Sequence, residues 1–218
     1  MKKQNLLKLL VLLTTTSTAT TNAIANPRDN GIYIGINSSF LEFSADYFET
    51  SADRSAQGSL LNKTTKVFRD GGVGSQEIKL GYKHFNKNRV EIFRRSSEIS
   101  AGNPEEIITS NTVGVNYEWG LASLASANKK VLPFISIGAS SGTAKSSSNR
   151  LKLKEADAVE LEAAIGIHYQ LSKHFDTTLG IQHRKSVFLT DTPVDSTNLF
   201  TDGDIDSTSL NIGVSYHF

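Results

Sequence analysis

The chain has 218 residues, of which 23 are basic and 22 acidic, and it contains no cysteine. The near-balanced charge gives no electrostatic reason to expect a nucleic-acid partner. The lack of cysteine excludes a disulfide framework, a thiolate metal site and a cysteine nucleophile within this chain, and the length is enough for one domain.

The first 25 residues have the pattern of a secretory signal peptide. Lys2, Lys3 and Lys8 give a positive start, an apolar run lies at Leu6–Leu13, and Ala23-Ile24-Ala25 matches an A-x-A cleavage pattern. The run is much shorter than the roughly 20 residues of a spanning helix, and a buried N-terminal helix is the weaker alternative. We therefore expect removal of residues 1–25 after Ala25. Residues 26–218 would form one domain with 20 basic and 22 acidic residues, a net charge of −2.

From Gly31 onward, apolar and polar residues alternate with a period of two, which is the signal of a β-strand. The pattern predicts eight strands, and an even number is what single-chain bacterial barrels require. In chain order, the apolar faces of the eight strands are Ile32, Ile34 and Ile36; Ile78, Leu80 and Tyr82; Val90 and Ile92; Val113, Val115, Tyr117 and Trp119; Ile135 and Ile137; Leu161, Ala163, Ile165, Ile167 and Tyr169; Phe175, Leu179 and Ile181; and Leu210, Ile212, Val214, Tyr216 and Phe218.

Glycine occurs on the polar face of every predicted strand except the third. The positions are Gly35, Gly81, Gly114, Gly138, Gly166, Gly180 and Gly213. Glycine weakens a strand, so this repetition needs a spatial reason. The narrow interior of an eight-stranded barrel supplies one, because glycine leaves room for long charged neighbours. A soluble barrel such as a lipocalin would instead turn its apolar face inward. The glycines therefore favour a barrel with its polar face inside and its apolar face toward lipid.

Aromatic residues on the apolar face lie at one rim of the predicted barrel. They end the even-numbered strands or begin the seventh strand, at Tyr82, Trp119, Tyr169, Phe175, Tyr216 and Phe218. Aromatic rings favour the interface between membrane and water, so this rim is predicted to be an aromatic girdle.

The predicted connections alternate between long and short. The long ones are about Ser44–Gly74, Ser97–Thr109, Ser141–Ala156 and Ser186–Ile205. Asn86–Asn88 and Ser172–Lys173 are tight, and Gly120–Lys130 is intermediate. Long extracellular loops and short periplasmic turns are typical of membrane barrels. The fold is thus predicted to be all-β, an eight-stranded antiparallel up-and-down transmembrane β-barrel.

The closing segment Leu210–Phe218 has an aromatic last residue and apolar residues at every second position before it. This segment is similar to the C-terminal assembly signal of outer-membrane barrels. Together with the signal peptide and eight strands, it makes the chain resemble the small outer-membrane barrels of the OmpX, Ail and OmpA membrane-domain group, which belong to the porin-like surface proteins of Gram-negative bacteria. The resemblance implies a location in the outer membrane and insertion by the outer-membrane assembly machinery. It implies no specific function.

The polar face carries charges of both signs. They are Lys79, Lys83, Arg89, Glu91, Glu118, Glu160, Glu162, His168 and Arg184. Buried charges are tolerated when they are paired and hydrogen-bonded, so we expect a salt-bridge network across the barrel. An eight-stranded barrel is just wide enough to be filled by side chains, which argues against a wide pore. A path for ions or protons is the alternative interpretation.

No enzymatic constellation emerges, and we expect neither catalytic residues nor a cofactor. His183 is predicted on the lipid-facing side near the outer rim, with Thr208 at a similar height, but it lacks the His-x-Ser pair of lipid A deacylases. The run Asp202-Gly203-Asp204-Ile205-Asp206 begins like a calcium loop. It has Ser207 and Gly213 where such a loop needs glycine and glutamate, so we interpret it as an acidic extracellular loop without a metal.

The sequence therefore favours a non-enzymatic surface protein with a structural or adhesive role, acting through its extracellular loops. The expected partners are outer-membrane lipid, lipopolysaccharide beside the basic third long loop, the assembly machinery at the last strand, and a host or surface ligand. A lipid-modifying enzyme and a narrow channel or porin are the two alternatives.

Overall fold

The computed structural model describes residues 30–54, 60–69, 72–84, 87–100, 107–124, 130–147, 155–189 and 198–218. Of residues 41–54, 60–69, 72–73, 100 and 198–202 it describes the backbone alone. The predicted signal peptide 1–25 and its cleavage after Ala25 lie outside the described residues and stay predictions. Among the residues described, no helix is both long and apolar enough to cross a membrane.

The described residues are almost all in β-strands. The strands are β1 Gly31–Arg54, β2 Leu60–Arg69, β3 Gly72–Lys83, β4 Arg89–Ser100, β5 Ile107–Gly120, β6 Val131–Ser146, β7 Glu155–Gln170, β8 Phe175–Leu189 and β9 Asn198–His217. A single 3₁₀ turn lies at Ala122–Leu124. Isoleucine, valine, tyrosine and phenylalanine recur at every second position, and these residue types suit the half-buried surface of a sheet.

Eight of these strands close into a barrel. Each strand from β3 to β9 pairs antiparallel with the next, and the lower part of β1, Gly31–Ser39, pairs with both β3 and β9. Tyr33 lies opposite His217, which closes the sheet on itself. The predicted fold class, an eight-stranded antiparallel up-and-down barrel, is confirmed. The ninth strand, β2, lies in line with β3 on the same edge of β1 and pairs with the far part of β1, Asp46–Arg54.

The two faces of the barrel are the ones the alternation predicts. Every apolar face assigned from the sequence points outward; Ile165, for example, exposes 64% of its surface. The glycine and charge positions point toward the axis, where Glu160 exposes 1%. The barrel is therefore apolar outside and polar inside over the part that the predicted strands cover.

The strands continue further than predicted at the end of the barrel opposite to the tight turns. Within the predicted long loop Ser44–Gly74, residues 44–54, 60–69 and 72–74 lie in β1, β2 and β3, and within Ser186–Ile205, residues 186–189 and 198–205 lie in β8 and β9. Ser97–Thr109 and Ser141–Ala156 are likewise partly strand. The four long-loop boundaries were therefore wrong.

The reason is that the apolar and polar faces exchange sides along the same strands. In the extensions, inward positions are apolar and buried, at Ile99, Ile108, Ala144, Ala156, Ala158, Phe188 and Ile205. Outward positions are polar, as at Glu98, Thr109 and Asp157, all of which are exposed. This is the arrangement of a soluble barrel. A search for outward-facing apolar residues therefore ends each strand too early.

The connections at the other end are short, as predicted. Between β3 and β4, the His84 amide donates to the Asn88 carbonyl over 2.9 Å. Between β7 and β8, the Leu171 amide donates to the Phe175 carbonyl over 3.0 Å. The intermediate connection from β5 to β6 contains the 3₁₀ turn.

Candidate functional site

Ion pairs cross the lumen of the barrel in three layers. The layer farthest from the short turns is centred on one arginine. Arg95 on β4 reaches Glu77 on β3 over 2.6 Å, and on β7 it reaches Glu160 over 3.1 Å and Glu162 over 2.5 Å. Its guanidinium also lies 4.5 Å from the centre of the Phe93 ring. One buried cation therefore joins three carboxylates from two sides of the lumen.

The carboxylates around Arg95 have further hydrogen-bond donors. Ser140 donates to Glu160 over 2.9 Å, and Gln182 donates to Glu162 over 2.8 Å. Asn37 donates to Glu77 over 3.0 Å. Buried charges cost little only when their remaining lone pairs are satisfied, and here side chains from several strands do this.

A second layer is centred on Glu91. Lys79 lies 2.8 Å from the Glu91 carboxylate, the Tyr33 hydroxyl donates to the same carboxylate, and Asn116 donates to it over 2.9 Å. Tyr33 is completely buried. This layer connects the first strand of the barrel to β3, β4 and β5.

A third layer lies near the end with the short turns. Arg89 contacts Asp176 over 2.8 Å and Glu118 over 3.3 Å. His168 lies 2.7 Å from Glu118, and His217 lies 2.8 Å from Asp176. The predicted salt-bridge network is thus confirmed, with each of its three layers joining strands from different parts of the barrel.

Most of the charges that form this network were among those predicted, but Arg95 was not. The third predicted strand ended at Phe93, because Arg94 places a charge on the otherwise apolar outer face. The inward parity of Arg89, Glu91 and Phe93 nevertheless continues to Arg95. Following that parity past one outward charge would have identified the residue that organises the upper layer.

Glycines make room for these side chains. A Cβ atom at Gly138 would lie 2.7 Å from Glu162 Oε1, and one at Gly35 would lie 2.9 Å from Lys79 Cε. A Cβ atom at Gly81 would collide with the Tyr33 ring. The predicted role of glycine on the polar face is therefore confirmed at these positions.

Little space remains between the ion-pair layers of the lumen. A polar cavity of about 30 Å³ lies between the layers, with Lys79, Glu91 and Glu118 among its lining residues. A cavity of that size holds one or two water molecules. Above the Arg95 layer, the buried apolar residues of the strand extensions, which include Ile108 and Phe188, lie on the inward face.

Comparison with protein families agrees with this architecture. A family model described as "Outer membrane protein beta-barrel domain" matches residues 9–218. The chain belongs to this outer-membrane β-barrel family. It therefore belongs in the outer membrane of a Gram-negative bacterium, among the porin-like surface proteins. No curated protein matches the chain in sequence.

Solved structures of small barrels resemble this outer-membrane barrel. Neisserial surface protein A is 16% identical with a TM-score of 0.51, over 86% of this chain and 97% of that chain. OprG from Pseudomonas aeruginosa is 16% identical with a TM-score of 0.48, over the same shares of the two chains. Ail from Yersinia pestis is 15% identical with a TM-score of 0.37, over 86% of this chain and 99% of that chain. At such identity, the likeness to the neisserial protein concerns the fold alone.

The outward apolar surface of this outer-membrane barrel is its lipid-facing belt, and aromatic rings border it. Tyr216 contacts Phe175 and Phe218 with ring centres 5.1 and 5.2 Å apart. Trp119 packs edge-on against Tyr117 at 4.6 Å. These rings lie at the end with the short turns, which is the periplasmic end in such barrels. The predicted girdle is therefore present at this rim.

The other end of the barrel is extracellular, and His183 lies there on the outer wall. Its Nδ1 atom is 3.0 Å from the Thr208 hydroxyl on β9, which confirms the predicted neighbourhood. Lys185, one outward position further along β8, contacts Asp204 over 3.2 Å and Asp206 over 3.4 Å. His183 is exposed on this wall, and Thr208 is partly exposed.

The acidic run 202–206 lies in strand β9, so its interpretation as a loop was wrong. Gly203 and Ile205 face inward, whereas Asp204 and Asp206 face outward beside Lys185. The alternation reverses the usual membrane pattern here, which made the run look like a loop. Over the described part of the chain, no group of three or more His, Cys, Asp or Glu side chains is arranged to hold a metal ion.

The strand extensions form a β-structure beyond the lipid-facing belt. Phe40 is exposed and is the last residue of β1 whose side chain the structure describes, and β1 continues to Arg54. At about 3.3 Å per residue, this extension is about 45 Å long along the strand. It pairs with β2 on one side and with the first residues of β9 on the other. The barrel therefore presents on the extracellular side a sheet in which β2, β1, β9 and β8 follow one another.

Proposed function

We propose that this outer-membrane barrel is a non-enzymatic surface protein that binds partners through its extracellular strand extensions. The observation that carries the proposal is the continuation of β1 to Arg54, far beyond the lipid-facing belt, with β2 paired along it. Backbone pairing makes this extension a shaped surface, and function in such proteins concentrates in segments presented by a rigid scaffold.

The packing of the lumen supports a scaffold role. The side chains of Arg95 and Glu160 are each only 2% exposed and are paired across the lumen, and Phe188 is completely buried above them. Such an interior stiffens the barrel. The mechanical stability serves the presentation of the extension.

The experiment replaces residues 47–68 by Asn-Gly, a two-residue hairpin turn, in the full chain. Bacteria that express either form are compared for attachment to cultured animal cells and to surfaces coated with host proteins. Heat-modifiable gel mobility checks that the trimmed barrel folds, and His183→Ala serves as a control on the outer wall. We expect loss of attachment in the trimmed form alone. Equal attachment by folded trimmed and full-length forms would contradict the proposal.

The lipid and assembly partners also belong to the proposal. The lipid-facing belt would contact outer-membrane lipid, and Lys145 with the basic segment 150–154 would meet lipopolysaccharide phosphates. Lys145 now contacts Glu155 over 3.3 Å, while 148–154 lie outside the described residues. The terminal strand, ending at Phe218, would engage the outer-membrane assembly machinery. Deletion of Phe218 should therefore lower the amount of barrel assembled in cells, as judged by heat-modifiable mobility.

A lipid-modifying enzyme is the second candidate, and the contact between His183 and Thr208 on the outer wall favours it. A hydroxyl beside an imidazole is one element of nucleophilic catalysis, although a third group that orients the imidazole is normally needed as well. The test is the mass of lipid A in cells with and without the protein. A change that is reversed by the wild-type chain, but not by His183→Ala or Thr208→Val, would establish the enzyme. An unchanged lipid A mass would favour the non-enzymatic proposal.

A further inference from the structure

Strand β2 has one unpaired edge. Within the described part of the chain it pairs with β1 alone, from Arg69 opposite Asp46 to Leu60 opposite Arg54. Strand β4, the next strand around the barrel, pairs with β3 only as far as Gly72 opposite Ser100. The ten residues of β2 give an edge about 33 Å long at about 3.3 Å per residue. Natural proteins keep such edges short or cover them.

The charge of β2 differs from that of the strands beside it. Strand β2 contains three basic residues and no acidic one, namely Lys63, Lys66 and Arg69. The charged residues in the parts of β1 and β9 that form the extension are mainly acidic, namely Glu42, Asp46, Glu49 and Asp53 with the basic Arg54 on β1, and Asp202, Asp204 and Asp206 on β9. This sheet therefore ends in a basic strand whose outer edge is unpaired within the part of the chain that the structure describes.

The charge of β2 also disfavours a second copy of this chain as its partner. Antiparallel pairing of two β2 strands about Thr64 and Thr65 would place Lys63 opposite Lys66. Parallel pairing in register would place each basic residue beside its own copy. Like charges directly opposite each other destabilise a sheet. Basic residues on edge strands are a known protection against self-association.

We propose that the free edge of β2 accepts an extended acidic segment of another protein, which adds to the sheet as a further strand. The inference rests on the proposed surface-binding function and names the partner class. The inner edge of β2 already has this kind of neighbour, because it pairs with the acidic stretch of β1 and Arg69 lies opposite Asp46. In strand addition, main-chain hydrogen bonds give the affinity and side-chain complementarity gives the specificity.

The first test uses a peptide with the sequence of residues 46–54, the segment of β1 that pairs with the other edge of β2. A fluorescent form is titrated with the full-length barrel in detergent micelles, and anisotropy reports binding. The control peptide carries D46K, E49K and D53K. We expect the acidic peptide to bind and to weaken as salt increases, and the control to bind roughly tenfold more weakly, since each charge pair contributes a fraction of a kcal/mol. Absence of binding, or equal binding of both peptides, would overturn the proposal.

A charge exchange gives a positive control for the site. The barrel variant with Lys63→Glu and Lys66→Glu should reverse the preference and bind the control peptide more tightly than the acidic one. If this variant keeps the wild-type preference, then the acidic peptide binds elsewhere and the proposal fails.

Proline substitutions test the role of the backbone edge itself. Consecutive residues of a strand direct their N–H groups to opposite edges, so one of Thr64→Pro and Thr65→Pro removes a donor toward β1 and the other removes one from the free edge. Hydrogen exchange identifies the variant that keeps the amides between β1 and β2 protected. We expect this variant to lose peptide binding, and binding at wild-type affinity would overturn the proposal.

The attachment assay separates this proposal from the function on which it rests. If trimming of residues 47–68 abolishes attachment but the edge-blocking proline leaves it intact, the surface-binding function stands and the edge proposal falls. If trimming has no effect on attachment, the surface-binding function itself is wrong, whatever the peptides do.

Discussion

Arg95 on β4 and Glu160 on β7 meet across the lumen, with Arg95 Nη1 3.1 Å from Glu160 Oε2. Two strands, β5 and β6, separate them around the ring. Because the same guanidinium also contacts Glu77 and Glu162, it links β3, β4 and β7 inside the barrel as well as neutralising charge. These ion pairs fix the distance between β4 and β7 across the lumen.

Loss of the Arg95 side chain should destabilise the barrel strongly. Arg95→Leu leaves Glu77, Glu160 and Glu162 without their shared cation, and breaking a buried ion pair from one side costs about 3–5 kcal/mol. We expect a fall of this size in the free energy of unfolding, measured by urea titration in detergent micelles. The neighbouring Arg94 lies exposed on the outer face, so Arg94→Leu is a matched control with little or no loss. Similar stability of the two variants would show that the buried ion pairs of Arg95 do not stabilise the barrel.

A side chain at Gly138 should also be destabilising. Its Cβ would lie 2.7 Å from Glu162 Oε1, so Gly138→Val would displace a ligand of Arg95, and overpacking of this kind costs about 1–3 kcal/mol. The control is Ala139→Val, one residue further and exposed on the outer face, with an expected change within about 0.5 kcal/mol. Urea unfolding of both variants gives the comparison, and equal effects at the two positions would count against a filled lumen.

The single tryptophan reports the position of the girdle. Trp119 is exposed on the lipid-facing wall at the periplasmic rim, where aromatic rings prefer the headgroup region. In bilayers, lipids brominated near the headgroup should quench its fluorescence more than lipids brominated near the chain end. The variant Trp119→Phe with Ile165→Trp moves the reporter into the belt and should show the opposite order. The same order of quenching for both proteins would mean that the lipid-facing belt is wrongly assigned.

The filled lumen predicts a barrel that does not conduct. Three layers of ion pairs lie below buried apolar residues such as Phe188 and Ile108, and the polar cavity between these layers measures only about 30 Å³. In planar bilayers the purified chain should therefore give no steady ionic current, whereas an open porin prepared in the same way gives steps. Reproducible steps from the pure chain would favour the narrow-channel alternative.

The lower half of the barrel could be predicted from the sequence because one simple rule applies there. Outside is hydrocarbon, inside is a crowded polar lumen, and the two faces of each strand differ sharply, as at Ile165 and Gly166. The tight turns follow, because they interrupt clear alternation. The lumen network followed in outline, since charges on an inward face must be paired.

The extracellular half could not be predicted by the same rule. Beyond the belt the outside is water, so residues such as Ile205 and Phe188 turn inward while Asp204 and Asp206 face out. A pattern that reverses its phase within one strand looks like a loop when only one phase is sought. The pairing of β2 with β1 depends on backbone hydrogen bonds between segments in which apolar and polar residues do not alternate, so alternation carries no signal for it.

Strand β1 connects the tip of the extension to the membrane as one continuous segment of 24 residues. Its pairing with β9 runs from Tyr33 opposite His217 to Asp53 opposite Asn198, with a few bulges. A pull on the tip, directed along the strand, would load the hydrogen bonds of this seam in parallel rather than open them one after another. A cell tethered at this point would load the sheet in the direction in which it resists force best, so that the barrel itself would bear the shear from flowing liquid.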